Sequence, residues 1–152
     1  MNCRDSSGTL IPQEMASVLS LLPHRPPFLL VDRVIASEPG HWIHATRLLT
    51  AGDPLLTEQG TLPAPLLIEA IAQTAAALLL SENPGVTPAL LGIERAIFRG
   101  EARVGDVLHL YAEVCRLRQR IGRAQGKAVN DSGMTLCEAE FTFGWSLSRE
   151  TR

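Results

Sequence analysis

Apolar and polar positions recur with different periods along this chain, and the changes of period mark its elements. Pro63 to Leu80 (PAPLLIEAIAQTAAALLL) carries only three polar side chains, Glu69, Gln73 and Thr74. At helical rise the stretch spans about 27 Å and is apolar around its whole circumference. Such a helix must be enclosed, by lipid or by protein. The last apolar stretch has a period of two instead. Cys137, Ala139, Phe141, Phe143, Trp145 and Leu147 share one face of a strand, against Glu138, Glu140, Thr142 and Ser146 on the other. The Asp131-Ser132-Gly133 turn before it predicts an antiparallel hairpin.

Other elements follow from local composition. Pro12 to Leu22 reads as a short leading helix that Pro23 stops. Phe28 to Ile35 (FLLVDRVI) is rich in strand formers, and His41 to Leu49 follows as its partner beyond a Glu38-Pro39-Gly40 turn. Ala51 to Leu62 is a loop into the long helix, which ends by Asn83-Pro84-Gly85. Ala89 to Arg99, Val107 to Ile121 and Arg123 to Asn130 are strand-like. Two strands, one long helix and then several strands without intervening helices predict an α+β fold, a largely antiparallel sheet wrapped around the helix. A second subunit would cover whatever the sheet leaves bare.

Composition narrows the setting. At 152 residues the chain fits one domain, 1–152, with 1–21 as an N-terminal extension. The central helix is a poor membrane span: Glu69, Gln73 and Thr74 sit near its middle, and its flanks, Glu58 and Glu82, lack the Lys/Arg bias of a spanning segment. A formal charge of −2 gives no global reason to expect nucleic acid. Cys3, Cys115 and Cys137 have no metal-ligand spacing and suit a reducing cytoplasm; the polar start MNCRDSSGT has no signal design. Cys115 and Cys137 lie in strands and read as small buried hydrophobes. Neither a metal nor a cofactor is expected.

Candidate chemistry centres on Glu69. A carboxylate on an apolar helix costs several kcal/mol unless it is hydrogen-bonded or employed, and Gln73 shares its face one turn on. Elsewhere, Arg116, Arg118 and Arg120 have the same parity on a strand, and no acid interrupts Arg116 to Asn130. That run suits docking of an acidic carrier protein or a phosphate, or else an edge protected by charge. Asp53 and Glu58 are loop acids before the helix. His41 and His44 fall three apart in a strand, hence on opposite faces, and are poor metal candidates.

Three segments carry a resemblance: Leu22 to Val34 (LPHRPPFLLVDRV), Leu67 to Thr74 (LIEAIAQT) and Gly92 to Leu108 (GIERAIFRGEARVGDVL). In this order and spacing the chain resembles the bacterial 3-hydroxyacyl-acyl-carrier-protein dehydratases of FabZ type, which have the hotdog fold and work as dimers. The resemblance implies that Glu69 is the catalytic Glu of the central helix, with Gln73 beside it. It also implies that Pro63 and Ala64 occupy the place of a Pro-Gly pair whose Gly amide polarises the thioester carbonyl. The family's catalytic His lies in the loop before that helix; here Asp53 to Ala64 (DPLLTEQGTLPA) contains none. His24 matches a position read as structural, and His41, His44 and His109 lie in strands.

A homodimer would therefore hold two Glu and no matching His. The His-less loop also resembles dehydratase-like subunits of aryl-polyene lipid synthesis (ApeP type), which pair with a second hotdog chain. The implied function is a dehydratase-like subunit for 3-hydroxyacyl thioesters of acyl carrier protein, in fatty-acid or polyene synthesis, completed by a His-bearing partner. Two alternatives stay open: a hotdog thioesterase using Glu69, and a non-catalytic subunit that shapes its partner's acyl tunnel.

Overall fold

The computed structural model describes residues 18–148. Its elements are α1 (Val18–Leu21), β1 (Arg33–Glu38), β2 (Trp42–Leu48), α2 (Ala64–Glu82), β3 (Val86–Phe98), β4 (Val107–Arg118), β5 (Ile121–Val129) and β6 (Thr135–Leu147). The six strands form one sheet in the order β1-β2-β4-β5-β6-β3. Every neighbouring pair is antiparallel. This is the α+β arrangement that the sequence pattern predicts, an antiparallel sheet with one long helix against it, and it matches the hotdog fold that the resemblance implies.

Local chemistry sets the ends of α2. Pro63 is its N-cap and Pro65 falls in its first turn, where a missing N–H breaks no helical bond. At the other end the Asn83 N–H bonds to Leu79 O, and Gly85 turns the chain at φ 87°. Between these ends, leucines and alanines favour helix by propensity. Thr74 satisfies its hydroxyl internally on Ala70 O at 2.8 Å, so a polar residue with no exposed surface leaves no orphan group.

The sheet's concave face is what buries the helix. Leu108, Leu110, Leu136 and Phe141 point inward from β4 and β6 and are almost fully buried, as are Leu67 and Ile71 of α2. At the centre of β5 the inward residue is Gly126. A Cβ there would lie 2.3 Å from Tyr111 O and 2.4 Å from Ile71 Cγ2, so only glycine lets α2 approach this closely. By length and composition α2 would also suit a bilayer, yet the sheet encloses most of it. Glu69, Ala72 and Ala76, at helical spacing, mark the face left partly open.

Several expectations shift on the structure. Of the leading helix only Val18–Leu21 lies within the described residues. The strand expected from Phe28 begins its ladder at Arg33, because the Leu30 N–H is taken by a side chain of α2. Cys137 is buried as expected, but Cys115 is exposed. It sits at a bulge between Val114 and Arg116, where β4 gains a residue against β5. His41 falls in the turn before β2, not in a strand.

β1 and β3 are the edge strands of the sheet. On β3, Leu90, Leu91 and Ile93 are 41%, 58% and 49% exposed, a run of apolar side chains that a lone soluble strand edge rarely presents.

Candidate active site

Glu69 lies on the open side of α2 with Gln73 buried one turn on, and the structure brings the two into direct contact. Gln73 Nε2 donates to Glu69 Oε1 at 3.0 Å and to Phe28 O at 2.8 Å. Gln73 Oε1 accepts the Leu30 N–H at 2.8 Å. Both amide protons and the amide oxygen are thus engaged, which sets the orientation of the side chain. Gln73 is 1% exposed. The segment Phe28–Leu30 is therefore stitched to α2 through one amide, and that amide presents Glu69.

The same segment delivers a group that sequence reasoning set aside. His24 Nε2 lies 3.9 Å from Glu69 Oε1, and both side chains are partly exposed. They line one cleft with Gln73, Ala72 and Ala76 on α2, Leu90 on β3, and Phe141 and Phe143 on β6. In sequence the only cue was the loop LPHRPPF preceding a strand; nothing in its spacing points to residue 69, 45 positions on.

One wall of this cleft is apolar, and its mouth carries an imidazole, a carboxylate and an amide. Such a set can take a proton from carbon and deliver one to oxygen, given a substrate between suitably placed groups. The cleft encloses about 60 Å³ in the single chain, well below the roughly 300–1,000 Å³ of ordinary small-molecule sites. It flanks β3, the edge strand that carries the exposed leucines.

The other sequence candidates lie elsewhere. Pro63 and Ala64 stand at the N-terminus of α2, more than a turn before Glu69, and do not line the cleft. Arg116 and Arg118 line a separate recess of about 580 Å³ with Arg123, at the β4–β5 turn. The bulge at Cys115 inverts the parity of β4. Arg116 and Arg118 consequently share the outer face, and Arg116 stands directly opposite Arg123 in register. Like charges so placed repel. Arg120 lies in the turn beyond the strand. This recess is the larger of the two but is lined by no carboxylate, thiol or imidazole, whereas the smaller cleft gathers both an imidazole and a carboxylate.

Asp53 is committed to structure. Its Oδ2 accepts Arg47 Nη2 at 2.5 Å and its Oδ1 accepts the Leu55 N–H at 3.0 Å. Glu58 is exposed on the loop and does not line the cleft. On the outer face of the sheet, His44 Nε2 meets His109 Nδ1 at 3.0 Å and stacks on Tyr111. Burial, then the neighbouring His109, push the His44 imidazole from its ordinary value near 6.5 down to about 4. Among the described residues no group of three or more metal-ligating side chains assembles.

Comparison with known proteins decides the family. A family model described as ApeP-like, ApeP dehydratase, matches residues 16–94. The 3-hydroxyacyl-(acyl-carrier-protein) dehydratase FabZ of Oceanobacillus iheyensis is 35% identical over 136 residues, covering 86% of this chain and 96% of the relative. The chain belongs to the FabZ/ApeP dehydratase family. FabZ of Bacillus subtilis strain 168 is 36% identical over 132 residues, covering 83% and 93% of the two chains.

Solved structures agree on the fold. The ApeI:P dehydratase heterocomplex of Xenorhabdus doucetiae superposes with a TM-score of 0.78 at 20% identity, over 90% of this chain and 93% of the matched one. A hypothetical thioesterase of Streptococcus pneumoniae TIGR4, solved with coenzyme A, gives 0.64 at 18% identity over 78% and 88%. The FabZ/ApeP-type chain described here thus shares the hotdog scaffold with both dehydratases and thioesterases.

Proposed function

We propose that this chain is the Glu-bearing subunit of a 3-hydroxyacyl-thioester dehydratase, acting on acyl carrier protein substrates within a dimer of hotdog chains. Glu69 exchanges the proton, and Gln73 fixes its carboxylate. The reaction removes water from the acyl chain: the C2–H proton goes to a base, its electron pair forms the C2–C3 double bond, and the C3–O bond breaks. The leaving hydroxide takes a proton from an acid, so a 3-hydroxyacyl thioester becomes a 2-enoyl thioester plus water. A base and an acid must stand at opposite sides of the C2–C3 bond. Glu69 supplies one of these functions, and a His-bearing hotdog partner the other.

The observation that carries the reading is the Gln73–Glu69 contact at the mouth of an apolar cleft. Here a carboxylate is held by one oxygen on a largely apolar helix, beside a cleft walled by Leu90, Phe141 and Phe143. The small volume of the cleft and the exposed Leu90, Leu91 and Ile93 beside it support completion by a second subunit along β3. The heterocomplex form of the Xenorhabdus relative supports a non-identical partner, in aryl-polyene or fatty-acid synthesis. Pro63 and Ala64, at the start of α2, are assigned to the thioester carbonyl, and Arg116 and Arg118 to the acidic carrier. The setting is cytoplasmic.

Copurifying the chain with its native hotdog partner and following 3-hydroxyacyl-carrier substrate by mass spectrometry tests this directly. Loss of one water from the acyl group, beyond what the partner achieves alone, is the expected result. Release of free carrier thiol instead would identify a thioesterase, and no change in either would leave the chain a structural subunit.

A further inference from the structure

We infer that His24 is a positioning residue for Glu69: together with Gln73 it holds Oε1, which leaves Oε2 as the oxygen that exchanges protons with substrate. The inference rests on the reading of Glu69 given above. Both neighbours converge on the same atom, Gln73 Nε2 at 3.0 Å and His24 Nε2 at 3.9 Å. They approach from different elements, one from the helix and one from the loop before β1. Among the described residues, no hydrogen bond or ion pair falls on Oε2. A carboxylate with one oxygen bonded by Gln73 and faced by His24 has its second oxygen aimed.

The loop is built to hold the imidazole in place. Arg25 Nη1 donates to Leu22 O at 2.8 Å and to His24 O at 2.7 Å, bracing the backbone on one side. Gln73 pins Phe28 and Leu30 on the other. Within this brace His24 Nδ1 is buried without a partner, so Nε2 is the ring atom turned to the cleft. The 3.9 Å gap is longer than a hydrogen bond. Contacts of this kind tighten when substrate binds, and closure by about 1 Å makes Nε2–H a donor to Oε1, a role that a glutamine amide also fills.

Energetics separate this role from simple stabilisation. His24 and Glu69 side chains are 29% and 39% exposed, and exposed ion pairs contribute little to folding. The contact therefore has small stability consequences, and its effect belongs to turnover, where a misplacement of about 1 Å in a reacting group can cost around a hundredfold.

The test uses three variants of the full chain in its assembled complex. Glutamine places an amide nitrogen near the position of Nε2, and asparagine places one near Nδ1. For His24→Ala and His24→Asn we expect kcat to fall by about 10–100-fold with KM nearly unchanged, whereas His24→Gln stays within about tenfold of the native chain. Melting temperatures of all three should match the parent. Crystal structures of the parent and His24→Ala complexes supply a readout independent of activity: the Glu69 carboxylate should leave its single orientation when the imidazole is gone. The inference is overturned if His24→Ala keeps full kcat, if asparagine rescues as well as glutamine, or if the carboxylate stays put in His24→Ala. A Glu69→Gln complex measured in parallel separates the two claims, since full activity there would sink the reading of Glu69 itself.

Discussion

Gln73 donates to Glu69 Oε1 at 3.0 Å while the rest of its amide is spent on the backbone of Phe28 and Leu30. One buried side chain thereby couples the fold of the β1 approach to the aim of a carboxylate. Gln73→Leu removes that coupling and orphans a buried N–H and a carbonyl. Each orphan costs about 1–3 kcal/mol, so we expect about 2–6 kcal/mol lost in urea unfolding, together with a fall in turnover. A variant as stable as its parent would show that the stitch is dispensable.

Arg116, Arg118 and Arg123 face one another across β4 and β5, and none of the three makes an ion pair among the described residues. Their mutual repulsion is relieved by an anion, which suits an acidic carrier surface. Arg116→Glu with Arg118→Glu should weaken carrier binding by at least about tenfold at low salt and flatten its salt dependence. Surface plasmon resonance over a salt series reads this. Unchanged affinity and slope would leave the cluster as a solvated surface of the β4–β5 hairpin.

Gly126 sets how closely α2 rests on the sheet. The Cβ of Gly126→Ala would meet Tyr111 O at 2.3 Å, and backbone yields poorly. Overpacking of this kind costs about 1–3 kcal/mol, and the helix that carries Glu69 must shift to relieve it. Thermal unfolding should show a clear drop in melting temperature, with turnover reduced in the fraction that folds. An unchanged melting curve would contradict the close approach.

His44 makes the fold sensitive to acid. Burial and His109 hold its imidazole near 4 when folded, against about 6.5 when free. Between those values the unfolded chain binds the extra proton, so stability is full above about pH 6.5 and falls as pH drops toward 4. Solvent reaches the ring, which limits the effect to about 1–2 kcal/mol. Melting temperatures across that range should decline in the parent, and the decline should be shallower in His44→Gln. Identical profiles would remove His44 from the account.

Much of the fold was legible in the sequence, because the strongest signals were also the longest. Eighteen residues with three polar positions could only be an enclosed helix, and the alternation from Cys137 to Phe143 reappears as alternating burial in β6. What stayed hidden depended on contacts between distant segments. The ladder of β1 starts five residues later than its composition suggests, since Gln73 captures the Leu30 N–H. A bulge at Cys115 exposes that thiol and puts Arg116 opposite Arg123, which no parity rule anticipates. At the candidate site Glu69 and Gln73 were readable from helical spacing alone. His24 was not, because its approach to Glu69 is made by a loop braced through Arg25 and Gln73.

Replacing Glu69 by glutamine in the copurified complex, and counting water loss from a 3-hydroxyacyl-carrier substrate, reaches the centre of the account most directly. Glutamine keeps the size and hydrogen-bonding capacity of the side chain but can serve neither as the base nor as the acid of the elimination. We expect an intact complex of unchanged melting temperature whose dehydration falls to the level of the partner alone. Undiminished dehydration in that intact complex would show that the carboxylate on the central helix exchanges no proton with the substrate.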